Sequence, residues 1–288
     1  MRELSVHDVR CLPGDTAFLL DDGMTSILVD SGFGFTGYRI ADNIKKVLGE
    51  RKLDYIFLTH SHYDHALGSA YILRRYPEAV VVAGSYAASI FKRSGALRLM
   101  KELDGKYAAE CGVVDYEFLG EELRVDVPAD DGDMIRAGDL EFQVINLPGH
   151  TKCSVGYYCA ERRLLITTES LGVYDGDVGI VPCYLVSYED VLYSLDRIAT
   201  LEIDAIISPH YGLLDRRQTA FFLANAKRCA VEGRDFLLGL AAAGKTDEEM
   251  CLAFREKYGN EYVLSSYPSA AMHVNTLIMV DMLKRTAP

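Results

Sequence analysis

The sequence predicts an α/β (α+β) chain, with a four-layer αβ/βα sandwich over residues 1–214 and a C-terminal helical appendage over 215–288. Three observations point there. Short β-rich runs alternate with helical patterns through the first half, the mark of a layered architecture. A second series of strands opens at about Leu123, giving two successive half-sheets with helices outside. Beyond about Leu214 the strand signal stops and only helical patterns remain.

The elements follow in order. Residues 17–20 and 25–30 read as a hairpin around Asp21-Asp22-Gly23. From about Tyr38 to Leu48, Ile40, Ile44, Val47 and Leu48 share one helical face, and Gly49 is the stop. A buried strand, Asp54–Leu58, runs into a histidine-dense loop, followed by a helix over about Ala66–Tyr76 and the strand Ala79–Ala83. In the second half the clearest strands are Leu140–Leu147, Ser154–Cys159 and Leu164–Thr168. A helix starts near Ser187, with Asp190 as its capping-box partner, and the strand Ala205–Ser208 closes the half. Helical patterns then cover Arg217–Ala243, Asp247–Tyr258 (capped by Thr246 and Glu249) and Ser269–Arg285. The run Gly32-Phe33-Gly34-Phe35-Thr36-Gly37 lacks the Lys-Ser/Thr ending of a phosphate loop and reads as a flexible turn.

Bulk composition narrows the function. Thirty basic residues against 42 acidic ones give a net charge of −12. Such a chain repels phosphate backbones and anionic surfaces, so no nucleic-acid or membrane partner is expected. The expected partner is a small-molecule substrate, with a homodimer as the candidate assembly. No stretch approaches the ~18 uninterrupted apolar residues of a transmembrane helix. The opening Met1-Arg2-Glu3-Leu4 carries charge where an export signal would be apolar. Seven scattered cysteines never form a Cys-x-x-Cys pair, which suits free thiols in a reducing cytoplasm.

The chemistry gathers at strand ends. Thr59-His60-Ser61-His62-Tyr63-Asp64-His65 supplies three imidazoles and a carboxylate within six residues. Leu147-Pro148-Gly149-His150 and Ser208-Pro209-His210-Tyr211 each place another histidine after an apolar strand. Neutral imidazole and carboxylate are the usual ligands of zinc and equally suit iron. His60 and His62, two apart, can converge on one ion, while Asp64 and His65 turn toward a second. One ion cannot use all these groups. Two can.

This His-x-His-x-Asp-His signature followed by two isolated histidines resembles the metallo-β-lactamase superfamily across roughly residues 15–215. The resemblance implies His60, His62 and His150 as ligands of a first metal, and Asp64, His65 and His210 as ligands of a second. It places Asp30-Ser31-Gly32 at the family's turn after an early strand. Its bridging aspartate is replaced here by Glu169, in the segment Thr168-Glu169-Ser170. Two divalent ions, zinc or iron with manganese also admissible, would activate a bridging hydroxide that Asp64 orients as the catalytic carboxylate.

The helical tail is similar to those of glyoxalase II-type and PqsE-like proteins, which implies an acyl ester or thioester hydrolase. Two other classes stay open: a non-haem iron redox enzyme on the same fold, and a metal-binding regulatory protein with little turnover. His273 is expected to be packed or half-exposed and Cys153 to be a buried thiol. Tyr184 and Tyr211 are candidates to orient substrate.

Overall fold

The computed structural model describes residues 2–177, 179–266 and 270–286. Contacts divide the chain into two units, Met1–Ile145 with Val155–Glu161, and Asn146–Ser154 with Arg162–Pro288.

The first unit is built on a six-stranded sheet in the order β1 (Ser5–Asp8), β2 (Phe18–Asp21), β3 (Ser26–Val29), β4 (Tyr55–Leu58), β5 (Val80–Gly84) and β6 (Val127–Ala129). The first three strands run antiparallel and β3 to β6 run parallel. The predicted hairpin is β2–β3. Gly23 takes φ 84°, and Asp22 Oδ1 accepts the Met24 and Thr25 N–H groups at 2.9 and 2.7 Å, so the turn carries its own carboxylate acceptor. Helix α1 (Gly37–Leu48) buries Ile40, Ala41, Ile44 and Leu48, and Gly49 ends it at φ 62°.

The helix expected over about Ala66–Tyr76 is α3 (Gly68–Arg75), with the single turn α2 (Tyr63–Ala66) before it. The first residue of α3 has no room for a side chain. Gly68 approaches the 31-turn so closely that a Cβ there would lie 1.8 Å from the Ser31 carbonyl oxygen. Helices α4 (Ser85–Ile90) and α5 (Ser94–Glu110) follow β5, and strands β7 (Met134–Ala137), β8 (Leu140–Asn146) and β9 (Val155–Cys159) lie in the order β9-β8-β7.

The Gly32–Gly37 run is not the flexible turn expected. Asp15 Oδ1 accepts from the Phe33 N–H at 3.1 Å and the Thr36 hydroxyl at 2.6 Å. Asp104 of α5 accepts from the Gly34 N–H at 3.0 Å and the Tyr116 hydroxyl at 2.6 Å. Both carboxylates are fully buried. They occupy backbone donors that a phosphate-binding turn would offer its ligand. Burial pushes the Asp104 carboxyl up to about 6 against the lowering effect of these hydrogen bonds.

In the second unit, β10 (Leu164–Ile166) pairs in parallel with β13 (Ala205–Ser208), which pairs antiparallel with β14 (Gly212–Leu214). Strands β11 (Val173–Tyr174) and β12 (Ile180–Val181) form a separate ribbon, and α6 (Tyr188–Ile198) starts at Ser187, whose hydroxyl accepts the Asp190 N–H at 3.0 Å. Among the described residues four helices complete it: α7 (Arg216–Ala242), α8 (Asp247–Tyr258), α9 (Glu261–Ser266) and α10 (Ala271–Thr286). The predicted capping box of Thr246 and Glu249 is present with both reciprocal bonds, and Asp215 with Gln218 forms another at the start of α7. The start predicted at Ser269 lies outside the described residues. Helix α7 packs on β12, β13 and β14, and α10 packs on α7 and α8. All seven cysteines are free thiols. Among the described residues no helix is long and apolar enough to cross a membrane.

Candidate metal centre

In the first unit the strand β4 stops at Leu58 and the chain enters the turn that carries the histidines. That turn is organised from below by Asp30, which follows β3 in a left-handed conformation at φ 53°. Its buried carboxylate accepts the Thr59 N–H and the Thr59 hydroxyl, each at 2.8 Å, and lies 2.8 Å from Nδ1 of His65. Burial pushes this carboxyl up, and the imidazole beside it opposes the rise.

These bonds fix proton positions. A carboxylate can only accept, so Nδ1 of His65 carries the hydrogen and Nε2 keeps a lone pair. The Thr59 hydroxyl has given its one hydrogen to Asp30. It therefore accepts from Nδ1 of His60, 3.1 Å away, and Nε2 of His60 is likewise a lone-pair donor. His62 stands directly before α2, with its ring centroid 4.6 Å from that of His60, while the His65 ring stands 4.1 Å from His60. Asp64 Oδ2 lies 3.8 Å from His65 Nε2. His60 and His65 are buried, whereas His62 and Asp64 are half-buried. The structure thus brings together His60, His62, Asp64 and His65.

In the second unit three separate turns converge. The turn before His150 has Gly149 at φ 125°, where a Cβ would sit 2.4 Å from the Val191 side chain of α6, so only glycine fits. Ser194 of α6 donates to the Pro148 carbonyl at 2.7 Å, and the His150 N–H donates to the Ser170 hydroxyl at 3.0 Å. Nδ1 of His150 is 3.1 Å from the Cys183 carbonyl, a pure acceptor, so this ring too presents Nε2 as a lone pair. Glu169 opens a single helical turn after β10, capped by Thr168 through the Ser170 N–H. His210 sits between β13 and β14 at φ 60°. Glu169 reaches both histidines: Oε2 lies 3.9 Å from His150 Nε2, and Oε1 lies 3.2 Å from His210 Nε2. All three residues are buried.

The donor chemistry fits a resident metal. Buried imidazoles with Nδ1 satisfied and Nε2 carrying a lone pair, beside carboxylates, are the form in which histidine binds divalent ions. Histidines and carboxylates of this chain form groups able to hold a metal ion.

Sequence reading singled out the Asp30 turn but not the parts of Thr59, Cys183 and Ser170. Thr59 stands directly before the histidine cluster, which is the one signal that points to it. Tyr184 is fully buried, its ring edge-on to that of Tyr188 at 5.5 Å between centroids. Tyr211 is stacked edge-on to Tyr174 and accepts from the Gln218 amide at 2.9 Å. Cys153 is a buried thiol 3.2 Å from the Thr151 hydroxyl. His273 is 3.6 Å from Glu248 at the surface.

Comparison with known proteins bears on both units. A family model described as the metallo-beta-lactamase superfamily matches residues 14–210. A hydroxyacylglutathione hydrolase of Roseobacter denitrificans is 24% identical over 277 residues, covering 94% of this chain and 91% of that protein. An acyl-coenzyme A thioesterase, MBLAC2, of Gallus gallus is 25% identical over 163 residues, 54% of this chain and 55% of its own length. The crystal structure of a metallo-beta-lactamase family protein of Thermus thermophilus superposes with a TM-score of 0.57 at 20% identity, covering 91% of this chain and 87% of that one. That likeness shows the fold.

Proposed function

This chain belongs to the metallo-β-lactamase superfamily of metal-dependent hydrolases, and we propose that within it the protein hydrolyses acyl esters or thioesters at a two-ion centre. The observation that carries the reading is the preset imidazole chemistry. His60, His65 and His150 each have Nδ1 held by an acceptor, which leaves Nε2 for a metal. The proposed first position is His60, His62 and His150, the proposed second is Asp64, His65 and His210, and Glu169 is the carboxylate shared by both. The family match spans every one of these residues.

Bound ions would lower the pKa of a water and polarise the scissile carbonyl. The protein's own groups supply orientation. Asp64, half-buried beside His65, accepts a hydrogen from the attacking water, aims its lone pair at the acyl carbon and takes the proton as the bond forms. Glu169, between His150 and His210, places negative charge between two imidazoles, which favours cations there. The acyl–sulfur or acyl–oxygen bond then breaks, and the leaving group departs with the proton that Asp64 took from the water. The thioester preference draws on the relatives named hydroxyacylglutathione hydrolase and acyl-coenzyme A thioesterase. We assign residues 215–288 as an appendage that shapes substrate choice.

The test is elemental analysis of protein purified without added metal, paired with a thioester panel read by thiol release. About two ions per chain are expected, with turnover lost in chelator and restored by metal. Full turnover by metal-free protein in chelator defeats the reading.

A further inference from the structure

The helices after β14 reach the His210 turn and the Cys183 segment of the second unit. Tyr262, in α9, donates its hydroxyl hydrogen to the backbone carbonyl of His210 at 2.7 Å. Its ring meets Tyr211 at 5.4 Å between centroids, and a Cβ on Gly176 would come within 2.8 Å of it. The phenol is therefore seated by its neighbours and has a defined aim. The Asn275 amide of α10 also reaches the Cys183 sulfur at 3.8 Å, and the Cys183 carbonyl is the group that holds Nδ1 of His150.

His210 is where a clamp matters most. At φ 60° it occupies the left-handed region, which an L-residue keeps only when its surroundings over-determine it. Pairing of Ser208 with Gly212 closes the hairpin on the strand side. The Tyr262 hydroxyl fixes the carbonyl that leaves His210 on the other side. Rotation of that peptide plane would swing the His210 Cα–Cβ direction, and with it the imidazole that lies 3.2 Å from Glu169.

We infer that Tyr262 is a positioning residue: by holding the His210 carbonyl it keeps the imidazole in its ligating orientation and sets the affinity of the metal position His210 serves. This gives the appendage a role in the metal centre although it supplies no ligand. The inference rests on the reading of His210 as a ligand.

The test is titration of metal-free protein with Co²⁺, followed by its visible absorbance. The parent should show two binding events and His210→Ala only one. Tyr262→Phe, which removes a single oxygen, should weaken the same event that His210→Ala removes, by roughly three- to tenfold for one hydrogen bond, and leave the other unmoved. Tyr258→Phe, the same change on α8 against Phe254, should superimpose on the parent. In the His210→Ala background Tyr262→Phe should cause no further loss, since the tyrosine acts through that residue. A Tyr262→Phe curve that overlays the parent, or one that weakens both events alike, overturns the inference while the ligand reading stands. A His210→Ala curve identical to the parent overturns the ligand reading itself.

Discussion

Asp30→Asn is the sharpest probe of the imidazole chemistry, because it changes the donors and acceptors at nearly constant shape. Asparagine tolerates left-handed backbone, so φ 53° is no obstacle. The parent carboxylate accepts three hydrogens, from the Thr59 N–H, the Thr59 hydroxyl and His65 Nδ1. An amide offers one acceptor oxygen and one NH₂ group. With the oxygen facing the Thr59 N–H, the NH₂ faces the Thr59 hydroxyl and His65. The hydroxyl can turn and accept, but His65 must surrender its Nδ1 hydrogen, and the proton moves to Nε2, the proposed ligating atom. Reorienting a ligand through such a partner costs about 10- to 100-fold in metal affinity, which is about 1.4 to 2.8 kcal/mol. The metal-free protein should also lose roughly 1–3 kcal/mol of stability from the mismatched buried polar group. Zinc competition against a chelator measures the first. Two-dimensional ¹⁵N–¹H spectra of the imidazoles report the tautomer, with Nδ1–H at His60 and His65 expected in the parent. Unchanged zinc affinity together with an unchanged His65 tautomer would refute the argument.

Glu169→Gln should empty or weaken at least one metal position, and Glu169→Asp should do so as well because its shorter reach no longer spans His150 and His210; metal content per chain decides, and two variants indistinguishable from the parent remove Glu169 from the ligand set. Asp104, raised by burial to about 6 from the ordinary 3.8 of an aspartate, holds its proton in the fold after the unfolded chain has lost it. Stability should therefore fall as pH rises from about 4 through 6, by up to roughly 3 kcal/mol at this group. Asp104→Asn should flatten that part of the urea-unfolding profile in chelator between pH 4 and 8, and an unaltered slope would count against the assignment. Gly68→Ala should cost about 3 kcal/mol or more, since its Cβ meets backbone that has nowhere to move; a melting temperature within a degree of the parent contradicts the close approach.

Much of this was legible in the chain, for reasons that can be named. The hairpin β2–β3, the helix α1 and the capped α8 announce themselves by turn residues, apolar spacing and a capping box. The seven ligand candidates stand out because strand ends and histidines coincide. What was hidden is tertiary. Helix α5 buries only Met100, Asp104 and Ala108 while exposing Leu99 and Leu103, so its apolar residues trace no clean stripe. The ribbon β11–β12 has two residues per strand, too short for any periodicity. Asp15 and Asp104 are isolated carboxylates whose shared grip on the Gly32–Gly37 turn exists only once the chain has folded. Tyr262 is one of 18 tyrosines, and no local pattern separates it from those that merely pack.

The two histidine sets also differ in the length of chain that must be closed to form them. His60, His62, Asp64 and His65 lie within six residues, on the turn after β4 and in α2, so the chain itself keeps them close. His150, Glu169 and His210 come from three turns that meet only when β10 lies against β13 and α6 is seated on Gly149. Ring closure loses entropy with the logarithm of loop length, about 0.6 kcal/mol for each doubling. The first set therefore outlasts partial unfolding, while the second exists only in a chain whose second unit has assembled. On the proposed two-ion reading, metal stoichiometry becomes a gauge of that assembly.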